Sequence, residues 1–202
     1  MGIYKIKPRF QRALGGIERN LIRRHVHPDY LTLGALALSV VGGVLLYLSN
    51  WLSLFELLVI PIAIGRTALN ALDGVVARGT GLARPWGEVL NEFSDRLADV
   101  ALLTGVCFAP GGNPRLGAVT IVVMLLSSYV GTAAKAAGGK RQYIGVMGKA
   151  DRMIYLSVAS FLAFFLPWIP IYSIYLGVVL VGLCFTIYQR LQAIHADLQS
   201  LR

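Results

Sequence analysis

Two stretches of the chain combine helical periodicity with charged and amide side chains. Residues 65–78 read GRTALNALDGVVAR, and residues 85–100 read PWGEVLNEFSDRLADV. At helical spacing the first stretch brings Arg66, Asn70, Asp73 and Ala77 within about 60° of one another. The second places five residues on a face about 100° wide, and these are Glu88, Asn91, Glu92, Asp95 and Asp99. The sequence therefore predicts two consecutive helices that point oxygen-bearing stripes at each other.

The chain around these stretches is apolar enough for a lipid environment. Hydrophobic residues make up 56% of the 202 residues and charged residues 14%, whereas soluble domains carry about 25% charged residues. Six segments reach the length of about 20 residues that a bilayer requires, and they lie at about 30–49, 53–78, 86–109, 115–137, 151–169 and 171–193. We therefore predict an all-α integral membrane protein with six transmembrane helices.

The first 27 residues differ from the rest. Basic and apolar residues alternate there, which favours an interfacial amphipathic helix over the alternative of a basic, solvated tail. We accordingly predict a cytoplasmic juxtamembrane amphipathic helix over residues 1–27 and a six-helix membrane domain over residues 28–202.

Basic residues also indicate the orientation of the chain. The chain has 19 Lys and Arg against 10 Asp and Glu. With the N-terminus inside, the connections after the second and fourth predicted spans and the C-terminus carry basic residues on the same side, while the other side has only Arg115. The positive-inside rule then predicts that both termini are cytoplasmic. Such a charge surplus suits nucleic acid or an anionic membrane, and the long apolar runs favour membrane lipids as partners, with no nucleic acid.

Carboxylates at membrane depth require neutralisation. Several of them close together repel one another, and bound cations or protonation relieve the repulsion. Hard oxygen ligands on two rigid helices suit Mg²⁺ or Mn²⁺, and the absence of His and Cys from the two stripes argues against zinc. The alternative is an internal salt-bridge network with Arg66, Arg78 and Arg96.

The spacing of these residues resembles a family signature. The chain has Asp73, Gly74, Ala77 and Arg78, then eight residues, then Gly87 followed by residues four positions apart, Asn91 and Asp95. This pattern resembles D-x-x-D-G-x-x-A-R, eight residues, G-x-x-x-D-x-x-x-D, the signature of the CDP-alcohol phosphatidyltransferases. The resemblance implies an enzyme of phospholipid biosynthesis that moves the phosphatidyl group of a CDP-linked lipid to an alcohol, releases CMP and works as a homodimer.

The resemblance also implies roles for single residues. Asp95 would be the catalytic base, and Asn70, Asp73, Asn91, Asp95 and Asp99 would bind the metal. Residues Asp73, Gly74, Ala77, Arg78 and Gly87 would bind CDP, and Gly87 would let the two helices pack tightly. The chain departs from the signature because Asn70 and Asn91 replace its first and third Asp, so the site loses two negative charges. This departure resembles a small bacterial branch of the family, which implies the bacterial inner (cytoplasmic) membrane.

A second basic cluster follows the fourth predicted span, between residues 140 and 152. Our hypothesis is that Arg141, Lys149 and Arg152 bind a phosphorylated acceptor such as inositol phosphate or glycerol phosphate, and the alternative is a positive-inside loop that contacts lipid headgroups. Two other functions stay open at this point. A scaffold would bind CDP-lipid without turnover, and a small transporter would use carboxylates within its spans.

Overall fold

The computed structural model describes residues 7–139 and 141–199. Over these two ranges it contains seven α-helices and no strand. Their bounds are α1 Lys7–Arg23, α2 Pro28–Leu48, α3 Leu54–Gly79, α4 Pro85–Phe108, α5 Pro114–Ala136, α6 Lys149–Phe165 and α7 Ile171–Gln199. The prediction of an all-α chain is confirmed. Residues 1–6 of the predicted N-terminal segment lie outside the described residues.

Prolines explain several helix boundaries. Three helices begin at a proline, where the missing N–H removes no helical hydrogen bond, and these are Pro28, Pro85 and Pro114. Helix α6 ends at Phe165 rather than at the predicted residue 169, because the residue before Pro167 is disfavoured in helical geometry. Helix α7 continues to Gln199, beyond the predicted residue 193. Half of the six added residues are good helix formers, namely Ala, Leu and Gln.

Four helices are long and apolar enough to cross a bilayer, namely α2, α3, α5 and α7. Their outward faces carry exposed Val, Leu, Ile and Phe side chains, which are stable against lipid. The chain is therefore an integral membrane protein. Helix α4 carries several charges and α6 has 17 residues, so length and composition support four spans, and the assignment of six stays a prediction. The location of α1 on the membrane surface also stays a prediction.

Helix α2 organises the packing because it lies against both α3 and α4. Helix α4 also packs against α5, α3 against α6, and α7 against α5 and α6. The crossing of α2 and α4 is close: a Cβ atom on Gly43 would lie 2.5 Å from the carbonyl oxygen of Ala101, and one on Gly105 would collide with the backbone of Gly43. One apolar core cluster, which includes Leu46, Leu102 and Leu176, extends through the helices. This arrangement brings the polar ends of α3, α4, α6 and α7 to one end of the molecule.

Candidate functional site

A cavity of about 450 Å³ opens at this polar end. It is lined by residues of α3, α4, α5, α6 and α7 and of the connection 137–148. Asn70 of α3 and Asp95 of α4 both line it, together with Ser127 and Ser128 of α5. The cavity thus joins the two stripes predicted from the sequence to the second half of the chain.

Every acidic residue on the face of α4 is paired with a basic residue. Glu88 binds Lys135 at the surface (2.5 Å). Deeper in the protein the pairs are Glu92 with both Arg96 and Arg141, and Asp95 with Lys149. Glu92, Asp95 and Asp99 follow one another at helical spacing, and we call these three residues the acidic stripe. The salt-bridge network considered as an alternative from the sequence is thus present for Arg66 and Arg96. For Arg78 no ion pair is seen among the described residues.

Asp99 lies deepest in the acidic stripe. Only 1% of its side chain is exposed, and each of its two carboxylate oxygens contacts an arginine. Oδ1 accepts from Arg66 Nη2 at 2.5 Å, and Oδ2 accepts from Arg152 Nη2. Since both oxygens are held by guanidinium groups, the structure does not support the prediction that Asp99 binds a metal. Arginine neutralises its charge instead of a cation.

Asn70 and Asn91, unlike Asp99, each have an unpaired side-chain oxygen. The Oδ1 atom of each is buried and has no hydrogen-bond partner among the described residues, which is unusual because buried polar atoms are almost always paired. The Asn70 amide nitrogen donates to the Arg66 carbonyl oxygen at 3.0 Å, so the geometry leaves only the oxygen unpaired. An amide oxygen is a common ligand of divalent cations. These are the two positions at which the signature has Asp.

Asp73 faces the protein interior. Its side chain is largely buried, and Oδ2 accepts a hydrogen bond from Thr32 Oγ1 of α2 at 3.5 Å. Its charge lies within reach of those of Asp95 and Lys149. Asp73 and Asp95 therefore face a common interior region rather than lipid.

No group of three His, Cys, Asp or Glu side chains in residues 7–139 and 141–199 has the arrangement of a metal site. Carboxylates alone therefore do not form a cation site among these residues, and amide oxygens are the further oxygen ligands that the two helices carry. The two unpaired amide oxygens fit such a cation-binding role.

Two of the residues predicted to contact CDP lie together. A Cβ atom on Gly74 would be 3.4 Å from Arg78 Nη1, so the guanidinium group lies over the bare backbone of α3. Arg78 itself is exposed at the end of the helix. The predicted packing role of Gly87 is wrong, because a Cβ atom there would meet only Arg84 Cγ at 3.6 Å and no neighbouring helix. Ala77 is half-buried on the same helix.

The residues predicted to bind the acceptor come together on one side of the cavity. Arg141, Lys149 and Arg152 line it, as does Arg190 of α7, and we call these four residues the basic wall. Arg190 donates to the carbonyl oxygens of Ser127 (2.5 Å) and Ile144 (2.9 Å). In the sequence, Arg190 indicates only the orientation of the chain. A charged residue inside the last apolar segment was the signal that could have identified it, because charges within spans usually serve function.

The fold and this region together define a helical membrane protein with a charged cavity built from its spans. The model of the family CDP-alcohol phosphatidyltransferase matches residues 25–188, and the chain belongs to this family. It is therefore an enzyme that transfers the phosphatidyl group of a CDP-linked lipid to an alcohol and releases CMP.

Known relatives agree with this assignment. Inner membrane protein YnbA of Escherichia coli is 40% identical over 154 residues, 76% of each chain. The archaetidylinositol phosphate synthase of Pyrococcus horikoshii is 31% identical and covers 77% of this chain and 80% of its own length.

The fold is shared with phosphatidylinositol phosphate synthase of Mycobacterium tuberculosis. Its structure with bound CDP-DAG has a TM-score of 0.74 at 24% identity and covers 91% of this chain and 94% of the other. Its complex with manganese and citrate has a TM-score of 0.73 at 24% identity, with coverage of 89% and 87%. At this identity the likeness establishes the fold.

Proposed function

We propose that the acceptor of this enzyme is a phosphorylated alcohol, such as inositol phosphate or glycerol phosphate, and that the donor is CDP-diacylglycerol or a similar CDP-linked lipid. The observation that carries the proposal is the basic wall, which faces the same cavity as Asp95. Several guanidinium and ammonium groups around one cavity suit a phosphate with two negative charges. The name of the Pyrococcus horikoshii relative, archaetidylinositol phosphate synthase, supports this acceptor class.

We also propose that Asn70, Asp73, Asn91 and Asp95 hold Mg²⁺ or Mn²⁺. The two unpaired amide oxygens and the convergence of both carboxylates on one interior region support this ligand set. A divalent cation at this position would neutralise the diphosphate and the charge that develops on departing CMP. The manganese complex of the Mycobacterium tuberculosis enzyme, which has the same fold, is in keeping with the proposal.

Different residues would then bind the two substrates. Asp73, Gly74, Ala77, Arg78 and Gly87 would bind CDP, with the planar guanidinium group of Arg78 on the diphosphate over the bare backbone of Gly74. The basic wall would hold the phosphate of the acceptor.

Asp95 would take the proton from the acceptor hydroxyl as its oxygen attacks the lipid-side phosphorus. A new P–O bond would form to the acceptor, the bond to CMP would break, and CMP would leave with the electron pair. Lys149 contacts Asp95, and it would contact both the acceptor phosphate and this catalytic base.

Release of CMP tests this proposal. Purified protein is incubated with labelled CDP-diacylglycerol, Mn²⁺ and a panel of alcohols with and without a phosphate group. We expect CMP only when a phosphorylated alcohol is present, and none from Asp95→Asn. A protein that turns over only unphosphorylated alcohols would refute the acceptor class. A scaffold would bind CDP-lipid without releasing CMP, and a transporter would release none.

The arrangement in the membrane is part of the proposal. We propose six spans, α2 to α7, in the bacterial inner membrane, both termini in the cytoplasm, and α1 as a juxtamembrane amphipathic helix within residues 1–27 that precedes the domain 28–202. The basic residues at the N-terminus and in the connections 80–84 and 137–148 support this orientation. The name of the Escherichia coli relative, inner membrane protein YnbA, supports a location in the inner membrane. We further propose a homodimer, which cross-linking in membranes would detect.

A further inference from the structure

Asp99 is the most buried member of the acidic stripe, and it joins three helices. It lies on α4, and its two partners come from α3 (Arg66) and α6 (Arg152). Arg66 is fully buried, and the side chain of Arg152 is 7% exposed. The ends of the Asp99–Arg152 pair are 53 residues apart in the chain, so this contact depends on the assembled fold.

The cluster has one more positive charge than negative charges. One carboxylate faces two guanidinium groups, and the second amino group of Arg66, Nη1, has only the weak acceptor Met153 Sδ at 3.2 Å. The Nε atom of Arg66 is buried without a partner. A buried excess charge of this kind is costly unless an anion comes near it. In residues 7–139 and 141–199, no carboxylate other than Asp99 forms an ion pair with either guanidinium group.

Arg152 belongs to this positively charged cluster and also lines the cavity. Both Arg152 and the neighbouring Met153 line it. The backbone of Arg152 is anchored by Tyr175, whose hydroxyl donates to its carbonyl oxygen at 3.3 Å. The second terminal nitrogen of Arg152 lies 3.4 Å from the Met147 carbonyl oxygen. Asp99 thus determines where the guanidinium group of Arg152 lies relative to the cavity.

We infer that Asp99 is a positioning residue, which holds Arg152 against the phosphate of the acceptor, and that the excess positive charge of the cluster, which Arg152 presents to the cavity, selects a phosphomonoester over an uncharged alcohol. The bound phosphate supplies the second anion that the cluster lacks. This inference rests on the proposed function, because it concerns the acceptor site of that reaction.

Asp99→Asn tests the positioning role, because the substitution keeps the shape of the side chain and removes its charge. Inositol 1-phosphate serves as the acceptor and CDP-diacylglycerol as the donor. Removing the carboxylate increases the positive charge of the cluster, yet we expect the KM for inositol 1-phosphate to rise about tenfold or more, because the Arg152 guanidinium group loses the contact that positions it. The KM for the donor should stay within about twofold, because the donor does not depend on Arg152. General damage to the fold would raise both constants or lower kcat alone.

Glu56→Gln is the matched control. Glu56 is a carboxylate of α3 that is equally buried, at 3% exposure, but it lies at the start of the helix, away from the cavity. This variant should leave both KM values unchanged. Equal effects of Glu56→Gln and Asp99→Asn on the acceptor KM would overturn the inference.

Arg66→Met provides a second variant if Asp99→Asn does not fold. It keeps the Asp99–Arg152 pair and removes the excess charge, so the protein should remain folded while inositol 1-phosphate binds about threefold or more weakly. Binding is measured by thermal shift in the presence of CMP, which requires no turnover. Unchanged binding to Arg66→Met would overturn the inference. A wild-type protein that neither binds inositol 1-phosphate nor uses phosphorylated alcohols would instead refute the proposed function, and this inference with it.

Discussion

Asn91 carries an unpaired amide oxygen where the family signature has a carboxylate. An uncharged oxygen attracts a hard divalent cation less than a charged one does. We therefore expect Asn91→Asp to lower the Mn²⁺ concentration for half-maximal CMP release by about tenfold, and Asn91→Ala to raise it. A Mn²⁺ titration at saturating donor and acceptor measures both effects.

Asn113→Asp is the control for this substitution. The Asn113 side chain caps α5 by accepting from the backbone N–H of Leu116 at 3.1 Å, and Asp caps helices as well as Asn does. The same change of charge there should leave the Mn²⁺ dependence unaltered. If both Asn91 variants titrate like the wild type, Asn91 is not a metal ligand.

Single residues also show what the sequence could and could not predict. Helical spacing identified Asn70 and Asn91, whose oxygens are unpaired, because this relation is local, and the family resemblance identified Gly74 and Arg78 as CDP-binding residues. The sequence did not identify Arg66 and Arg152 as the two ion-pair partners of Asp99, although it allows a salt-bridge network that includes Arg66. Arg152 comes from a distant helix, and only the packing of α6 on α3 brings it to Asp99. A stripe of carboxylates on one helix does not reveal which cations the other helices contribute.

Between helices, the close crossing of α2 and α4 fixes the position of α4, whose Asp95 lines the cavity. We expect Gly105→Ala to destabilise the protein by about 1–3 kcal/mol, because its methyl group would collide with the backbone of Gly43. The unfolding temperature of the purified protein in detergent measures the change. CMP release at moderate temperature should fall together with stability.

Gly177→Ala is the matched control for this crossing. A Cβ atom on Gly177, within α7, meets nothing within 4 Å. Alanine is the better helix former by about 0.5–1 kcal/mol, so this variant should unfold at the same temperature as the wild type or higher. Equal losses for Gly105→Ala and Gly177→Ala would show that the α2–α4 contact has no special importance.

Helix boundaries were largely predictable, because prolines and apolar length are local signals. The packing partners were not. The sequence predicted that α3 and α4 face each other directly, with Gly87 at a tight contact, whereas in the structure both helices pack against α2 and the close contact is at Gly43 and Gly105. A sequence does not reveal which of its glycines lies at a helix crossing, because the tertiary packing determines which glycine a neighbouring helix approaches.

For the molecule in its membrane, the proposal of six spans requires that α4 and α6 cross the bilayer. Helix α4 has 24 residues, which correspond to about 36 Å at 1.5 Å per residue and exceed a bilayer core of about 30 Å. Its Glu88 pairs with Lys135 at the surface near the end of the helix, and its other acidic residues are paired inside the protein, so these charges do not prevent a span. Six spans place the connections 80–84 and 137–148 in the cytoplasm and the connection 109–113 outside.

Single cysteines distinguish six spans from four. In a background with Cys107→Ala and Cys184→Ala, the probes Leu82→Cys, Asn113→Cys and Ala137→Cys are treated in intact cells with a maleimide that does not cross the membrane. Six spans predict labelling of the Asn113 probe, and labelling of the Leu82 and Ala137 probes only after permeabilisation. Four spans, with α4 and α6 outside the bilayer core, predict that the Ala137 probe is labelled in intact cells and that the Asn113 probe is labelled only after permeabilisation. Each missing crossing moves the next connection to the other side of the membrane. That result would contradict the topology and would place Arg141, Lys149 and Arg152 of the basic wall on the side opposite to the motif 73–78, where they could not share a cavity with it.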